Sequence, residues 1–396
     1  ELSRQGVACH EGAEVALITG TGVELADGTA IPARFTLGAG GPRPYRWLSE
    51  TGLETEAGYL AVSPTLQTSD PSVFAAGDCA HLGFAPRPKA GVFAVRAAPI
   101  LTHNLRAMAM GRADGMHRFK PQRDYLKLIS LGSRRALAEK AGFSLRGPLL
   151  WRWKDRIDQK FMDKFRGLEP MRPPAPPRTT AAGVTEALGD KPLCGGCGAK
   201  LGSGSLTAAL SSLPAPTRAD ILSRPGDDAA ILSHGEDRQI LTTDHLRAFT
   251  DDPALMARIA AIHALGDCWA MGAAPQSALA TVILTRATPD LQSRWLSEIM
   301  SEASAVFAAE GAAIVGGHSS QGDEMTLGFT VTGLTERDPI TLAGAQPGDV
   351  LILTKAIGTG VILAGEMQIA APGKVVAEAW RSMCLTSGPA ARTLGE

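Results

Sequence analysis

The chain has 396 residues, enough for two or three domains that each bury a core. Its 39 basic and 40 acidic side chains nearly cancel, so global charge gives no support to a nucleic-acid partner, and none is expected. No apolar run reaches the ~18 residues of a membrane-spanning helix, and six cysteines are too few for a disulfide scaffold and suit a reducing cytoplasm. Neither a secretory signal nor a transit peptide opens the sequence, which starts at Glu1. A piece of a longer polypeptide, shortened at both ends, is the expectation.

Residues 15–18, 23–25 and 35–37 read as strands, with Asp27-Gly28 as a hairpin turn. Thr68-Ser-Asp-Pro-Ser-Val-Phe-Ala-Ala-Gly77-Asp78 follows, and an alanine-rich helical stretch begins near Lys89. Residues 73–76 are expected to form a buried strand. Gly77 would then allow close backbone approach, and Asp78 would stand at the strand's carboxyl end, where open α/β sheets bind ligands. A carboxylate there can accept hydrogen bonds from a ribitol or ribose hydroxyl. Residues 120–170 read as basic and helical. Within them Leu150, Trp153, Ile157, Phe161 and Phe165 share one helical face, with Arg152, Arg156, Lys160 and Lys164 around the other side. Such a helix can lie on an anionic membrane surface or pack on its own domain with a solvated charged face.

The stretch ending at Gly77-Asp78 resembles the second flavin-binding motif of the two-dinucleotide-domain flavoprotein reductases. Its continuation, Arg87-Pro-Lys-Ala-Gly91-Val-Phe-Ala-Val-Arg96, looks like the type II NADH dehydrogenase branch. The resemblance covers roughly residues 10–165. It implies FAD as cofactor, Gly77 and Asp78 at the flavin with Asp78 on its ribityl chain, and the next helix aimed at the cofactor. It also implies NAD(P)H as reductant and peripheral membrane contact through residues 149–166. Gly38-Ala-Gly-Gly41 stands where that family usually has an Ala-Thr-Gly strand end. No Gly-x-Gly-x-x-Gly follows a strand in this half, although the family carries two, so this half would complete a flavin site and not build one alone.

Four prolines within residues 173–177 mark a linker over 171–191. Beyond it, alanine-rich helices alternate with short apolar strands, an α/β or α+β signature. Cys194-Gly-Gly-Cys197 invites a zinc or dithiol reading first. A zinc site needs four ligands, and Cys268 and Cys384 form no second pair. A redox motif wants a preceding strand, where the proline-rich linker stands instead. Lys200 shifts the balance, because an ammonium lowers a thiol's pKa and meets phosphate oxygens. Arg224-Pro225-Gly226-Asp227-Asp228 turns into an apolar strand whose adjacent aspartates point opposite ways. Residues 239–244 read as a strand ending in Asp244, and Asp267 lies inside a helix over 255–271. Carboxylates on separate elements, with no histidine cluster, suit magnesium bound jointly with a polyphosphate. Thr288 can cap and Pro289 can start a helix that Gly311 ends. A strand over 312–315 is then expected to stop at Gly316-Gly317, whose N–H groups can approach phosphate beside His318 and Ser319.

Taken in order, Cys-Gly-x-Lys, Gly-Asp-Asp-Ala-Ala, Thr-Thr-Asp, His-Ala-Leu-x-Asp-x-x-Ala-Met-Gly and Gly-Gly-His-Ser resemble selenophosphate synthetase (selenide, water dikinase), continuing into Leu353-Thr-Lys-Ala-Ile-Gly-Thr-Gly360. The resemblance implies the aminoimidazole-ribonucleotide-synthetase-like (PurM-like) fold and synthesis of selenophosphate, AMP and phosphate from ATP, selenide and water. It implies Cys197 and Lys200 as catalytic, and Asp228 and Asp267 as Mg2+ ligands. ATP contacts fall on Lys200, Pro225, Gly226, Asp227, Asp244, Asp267, Gly317, His318 and Ser319, shared across a homodimer. Cys194 has no firm role, and Ala199 stands where some members carry a further cysteine. Another magnesium-binding aspartate of that family belongs shortly beyond Glu396.

The expected protein is multidomain, α/β and α+β. It has a partial FAD/NAD(P)-binding oxidoreductase domain at 1–120, a basic amphipathic region at 121–170, and a PurM-like ATP-binding domain with the start of its companion at 192–396. A cytoplasmic place, peripheral at the inner membrane face, follows. A reductase beside the synthetase would keep oxidisable selenide reduced. The alternatives are a flavin-dependent NADH:quinone-type reductase with a non-catalytic appendage, or another PurM-like kinase or synthetase.

Overall fold

A computed structural model describes residues 6–173, 175–176, 179–189 and 200–395. The chain divides into two compact units, Glu1–Met162 and Asp163–Glu396.

The first unit opens with an antiparallel sheet of β1 (Val15–Ile18), β2 (Gly22–Leu25) and β3 (Ala30–Pro32). Asp27-Gly28 makes the expected β2–β3 turn. Gly28 takes φ +87°, Leu25 N–H donates to Thr29 O at 2.9 Å, and Asp27 Oδ1 accepts from Thr29 N–H at 2.9 Å. Residues 35–37 do not form the expected strand. Phe35 and Leu37 are exposed, and no strand among the described residues offers them a ladder. Next come β4 (Thr55–Glu56), β5 (Tyr59–Ala61) and β6 (Ala80–His81), with β5 and β6 parallel.

Residues 73–76 also differ from expectation. They make a single bridge, Phe74 to Gln67, instead of a buried strand. The cause is local: Asp70 Oδ1 accepts from Ser72 N–H at 2.8 Å, and Thr68 Oγ1 donates to Val73 O at 3.1 Å, bending the chain back on itself. Gly77–Cys79 is then one 3-10 turn, so Asp78 sits in a turn and not at the end of a long strand. Helix α1 (Gly91–Ala109) follows, close to where the alanine-rich stretch predicts it. Leu48, Leu60, Leu66, Ala80, Ala97 and Phe119 form the core beneath it. The buried Asn104 ties α1 to two loops, donating to Thr65 O and His117 O at 2.8 Å each.

Residues 120–170 are not helical throughout. β7 (Lys127–Ser130), β8 (Ala136–Lys140) and β9 (Phe143–Gly147) form an antiparallel sheet ahead of α2 (Pro148–Arg166). Ala136 and Ala138 alternate inward along β8, and Ala141 and Gly142 both take positive φ (52° and 79°) in a two-residue hairpin turn. Among the described residues no helix is long and apolar enough to cross a membrane.

The second unit contains α3 (Val184–Leu188), α4 (Ser203–Ser211), β10 (Ala230–His234), β11 (Asp237–Arg247), α5 (Pro253–Ala270), β12 (Ala274–Thr285), α6 (Pro289–Ala309), β13 (Ala313–Gly322), β14 (Thr326–Thr335), α7 (Thr359–Met367), α8 (Gly373–Met383) and α9 (Gly388–Gly395). Its sheet runs β10-β11-β14-β12-β13, with β12 and β13 parallel and the other pairs antiparallel. Period-two alternation sends Leu246, Ala278, Ala280, Val282, Leu327, Phe329 and Val331 to one face, where α5 and α6 pack on them, while Ile240 packs with Ala229, Met271 and Ala273. Phe307 of α6 meets Phe329 edge-on at 5.1 Å. Thr288 caps α6 as expected, its side chain accepting from Leu291 N–H at 3.4 Å, with Pro289 in the first turn. Gly333 lets α5 approach β14, since a Cβ there would lie 3.2 Å from Cys268 Sγ.

Two expected strand ends are displaced. β11 runs on past Asp244 to Arg247, because Leu246 continues its buried alternation. β13 runs through Gly316-Gly317 to Gly322, and the paired glycines serve strand pairing instead of stopping it. Gly317 lies opposite Ala280 so closely that a Cβ would fall 2.1 Å from Ala280 O. At Gly316 the nearest neighbour is the tip of Leu279, 3.3 Å away, which can move. Gly317→Ala is therefore expected to destabilise this unit by about 1–3 kcal/mol, and Gly316→Ala by clearly less. Urea unfolding of the two variants checks the order.

Candidate functional site

The centre of the second unit is the seam between β11 and α5. Alternation along β11 puts Thr242 and Asp244 on the helix-facing side. A spacing of four puts His263 and Asp267 on one side of α5. The seam brings the four together. Thr242 Oγ1 donates to Asp267 Oδ2, and His263 Nε2 lies 3.3 Å from Asp244 Oδ2 without hydrogen-bond alignment. Lys200 Nζ reaches within 3.7 Å of Asp244 Oδ1. Its side chain is 65% exposed and that of Asp244 only 16%, so the lysine arrives from solvent onto a carboxylate fixed in the wall. Such an ion pair adds little stability. It sets a movable positive charge beside a fixed acidic site.

Asp228 and Asp227 separate as adjacent residues must. Asp227 Oδ1 accepts from Asp228 N–H at 2.9 Å and its Oδ2 from Leu342 N–H at 3.3 Å, so that carboxylate holds loops. Asp228 is exposed, and its backbone carbonyl accepts from Thr242 Oγ1 at 3.4 Å. Gly226 takes φ +136° between Pro225 and Asp227, a turn that favours glycine. Burial holds the Asp267 carboxyl above the usual carboxylate range. The Thr242 hydroxyl pulls it back, Asp244 and Asp228 push it up again as like charges, and His263 pulls it down.

Asp228, Asp244 and Asp267 thus share one electrostatic field, and a hard divalent cation would relieve their mutual repulsion. These carboxylates suit magnesium in kind. Among the described residues, however, no group of three or more His, Cys, Asp or Glu side chains is arranged to hold a metal ion.

Gly317, His318 and Ser319 are not brought to this cluster within one chain. The register sets Asp244 opposite Phe329, Phe329 opposite Ala280, and Ala280 opposite Gly317. Three strand spacings separate them, roughly 14 Å. His318 falls in the row of Thr281, Gly328 and His245, on the sheet face away from α5. Cys194 and Cys197 lie outside the described residues. Cys268 is buried under the sheet, and burial pushes its thiol up to about 12, so it is not a nucleophile at neutral pH.

Thr242 and His263 carry no role in the sequence reading. Their signals were present: Thr242 is two residues before Asp244 on a strand, and His263 four before Asp267 on a helix.

In the first unit, Gly77 and Asp78 line a cleft with His81, Arg87, Lys89 and Phe93. Gly77 takes φ +78°, and a Cβ there would sit 3.2 Å from Ala94 Cβ on α1, so glycine lets the turn approach the helix start.

Residues 226–335 match the family AIR synthase related protein, N-terminal domain, and residues 1–100 match Pyridine nucleotide-disulphide oxidoreductase. A selenide, water dikinase of Desulfitobacterium hafniense (strain Y51) is 40% identical over 184 residues, 45% of this chain and 53% of the relative. That of Nitrosomonas eutropha is 36% identical over 194 residues, 48% of this chain and 55% of the relative. That of Geobacter metallireducens is 38% identical over 202 residues, 50% of this chain and 58% of the relative. The chain spans about half the length of the curated relatives it matches. Among solved structures, thiamine monophosphate kinase from Aquifex aeolicus is 15% identical with a TM-score of 0.29, over 46% of this chain and 63% of that one.

The Asp267 shift has a sign. The native state holds this proton more tightly than the unfolded chain, so the cost is absent below the unfolded value of about 3.9 and grows as pH rises through the raised one. Without nucleotide or divalent cation, Asp267→Asn should unfold at a higher temperature than the parent at neutral pH, with the gap closing near pH 4. Thermal unfolding across pH checks this.

The chain joins a stretch similar to pyridine nucleotide-disulphide oxidoreductases to a mixed α/β unit similar to AIR synthase-related N-terminal domains and to selenide, water dikinases.

Proposed function

We propose that the second unit belongs to an enzyme that makes selenophosphate from ATP, selenide and water, with release of AMP and phosphate. The observation that carries this reading is the approach of Lys200 to Asp244 beside Asp267 and Asp228, an ammonium and carboxylates in one place. Similarity over the same residues to curated selenide, water dikinases supports it.

In this reading Asp228 and Asp267 would hold magnesium beside the ATP phosphates, and a bound ion would supply positive charge for the phosphoryl group being transferred. Asp244 keeps Lys200 at the site until a phosphate competes for the ammonium, which then neutralises the transferred group. Thr242 orients the Asp267 carboxylate, and the Pro225-Gly226-Asp227 turn contacts the nucleotide. Cys197 stands beside the selenide as donor, carrier or gate. Gly317, His318 and Ser319 meet ATP from a second copy of the chain, which their distance from Asp244 within one sheet favours. In this reading the sheet face away from α5 takes that pairing, and the 47% exposure of Leu279 on it is consistent with this.

The first unit is part of a flavin-dependent oxidoreductase module using NAD(P)H, with Gly77 and Asp78 at the FAD. The cleft at the start of α1 and the close approach at Gly77 fit that cofactor. Peripheral contact with an anionic membrane from the cytoplasm involves α2, where Trp153 and Ile157 are exposed beside Arg152 and Arg156.

Lys200→Ala in the natural full-length polypeptide should lower selenide-dependent AMP formation by on the order of 10²-fold or more, while ATP binding is kept. Turnover of ATP that ignores selenide would replace this reading with another kinase or synthetase of the same fold. Leu279→Asp should convert a dimer to monomer in sedimentation equilibrium and abolish turnover, although it lies on the sheet face away from the carboxylates.

A further inference from the structure

The second unit holds a cavity of about 250 Å³ between α5, the start of α7 and residues 383–387, to which the proposed reaction gives no role. Phe249, Ile262, Leu363 and Met383 give it apolar walls. Its polar edge is rich in donors. Trp269 of α5 is only 8% exposed, and its buried indole N–H finds no partner among the described residues. An indole N–H can only donate, and one left unpaired under burial is costly, so an acceptor is wanted there. The Lys355 ammonium is pinned in the wall, donating to Ser382 O at 3.1 Å and to Leu385 O at 2.7 Å. It supplies fixed positive charge and not a free side chain. Burial lowers its pKa, and no Asp or Glu stands among the described residues lining the cavity to offset that. Thr359 and Gly360, the first two residues of α7, line it too, and the cap residue Gly358 gives no side-chain hydrogen bond to the first-turn N–H groups. An unpaired buried donor, a fixed cation and a helix start around an apolar chamber select a ligand that is negative at one end and apolar at the other.

We propose that this cavity binds a small organic carboxylate with a short apolar body. The carboxylate accepts from the Trp269 indole N–H within the field of Lys355, and the body lies among Phe249, Ile262, Leu363 and Met383. A neutral alcohol of the same shape lacks the charge, and inorganic phosphate lacks the apolar part, so each satisfies only half of the chamber. The cavity adjoins the acidic seam, since His263 lines it and lies 3.3 Å from Asp244. Binding there does not depend on which reaction the unit performs.

The test uses the natural full-length polypeptide and benzoate as the probe. Titration calorimetry should find one benzoate site per chain, with benzyl alcohol about tenfold weaker and inorganic phosphate unable to displace benzoate. In the same wild-type protein, photolabelling with 4-azidobenzoate, mapped by mass spectrometry, should mark α5 and α7 and be suppressed by excess benzoate. Label confined to other segments, or equal affinity for benzoate and benzyl alcohol, overturns the proposal without requiring any variant to fold. Trp269→Phe keeps an aromatic ring and removes the N–H, so it should weaken benzoate about tenfold without lowering the unfolding temperature of the ligand-free protein. A tryptophan that only fills space would give a lower unfolding temperature and unchanged benzoate affinity, which also overturns the proposal. ATP turnover that ignores selenide would remove the proposed reaction and leave these readouts as they are.

Discussion

The second unit depends on a carboxylate kept under partial burial at a helix–sheet seam. Asp267 could have been a solvated residue on α5. The sheet instead supplies Thr242 as donor and crowds Asp244 and Asp228 around it, so the acid is held where its charge is least comfortable. A lone buried carboxylate is costly unless something compensates it. Here the hydroxyl compensates in part, and the remaining repulsion creates a demand for positive charge that a cation and Lys200 can meet. The same arrangement costs the fold stability where Asp267 is ionised.

The rest of the unit keeps that seam rigid. α5 buries its own Ala257, Ala260, Ala261 and Ala264, small side chains that let it lie close to β11 and β14. Gly333 removes the last obstacle on β14, and the Phe307–Phe329 contact fixes α6 behind the sheet. Lys200 stands apart from this packing. Its side chain is 65% exposed and reaches Asp244 from solvent. The first unit repeats the theme on a smaller scale. A glycine turn and a helix start form a cleft, and one lysine is braced at its edge.

Much of this was legible from residue order. The hairpin at Asp27-Gly28, the cap at Thr288, and the helix bearing Asp267 all rest on contacts a few residues apart, and all three stand in the structure. The misreadings share a cause. Residues 73–76 looked like a strand by composition, but Asp70 and Ser72 spend their hydrogen bonds on a turn. Residues 120–170 read as basic and helical, but 127–147 hold three strands, and positive φ at Ala141 and Gly142 makes a hairpin. Gly316-Gly317 looked like a strand end, but a partner strand passes too close for any side chain at Gly317.

By itself the sequence determined which chemistry was present: an ammonium, spaced carboxylates and a Gly-Asp turn, because residue identity and short spacing carry that information. Only the tertiary structure decided which of these groups meet. Asp227 was drawn away to Leu342 N–H, 115 positions later, while His263 and Thr242 were drawn in. Gly317 was left three strands from Asp244. The physical reason is that strand register and helix docking minimise exposed apolar surface over the whole sheet, and that global balance sets the distances between polar groups that no local pattern records.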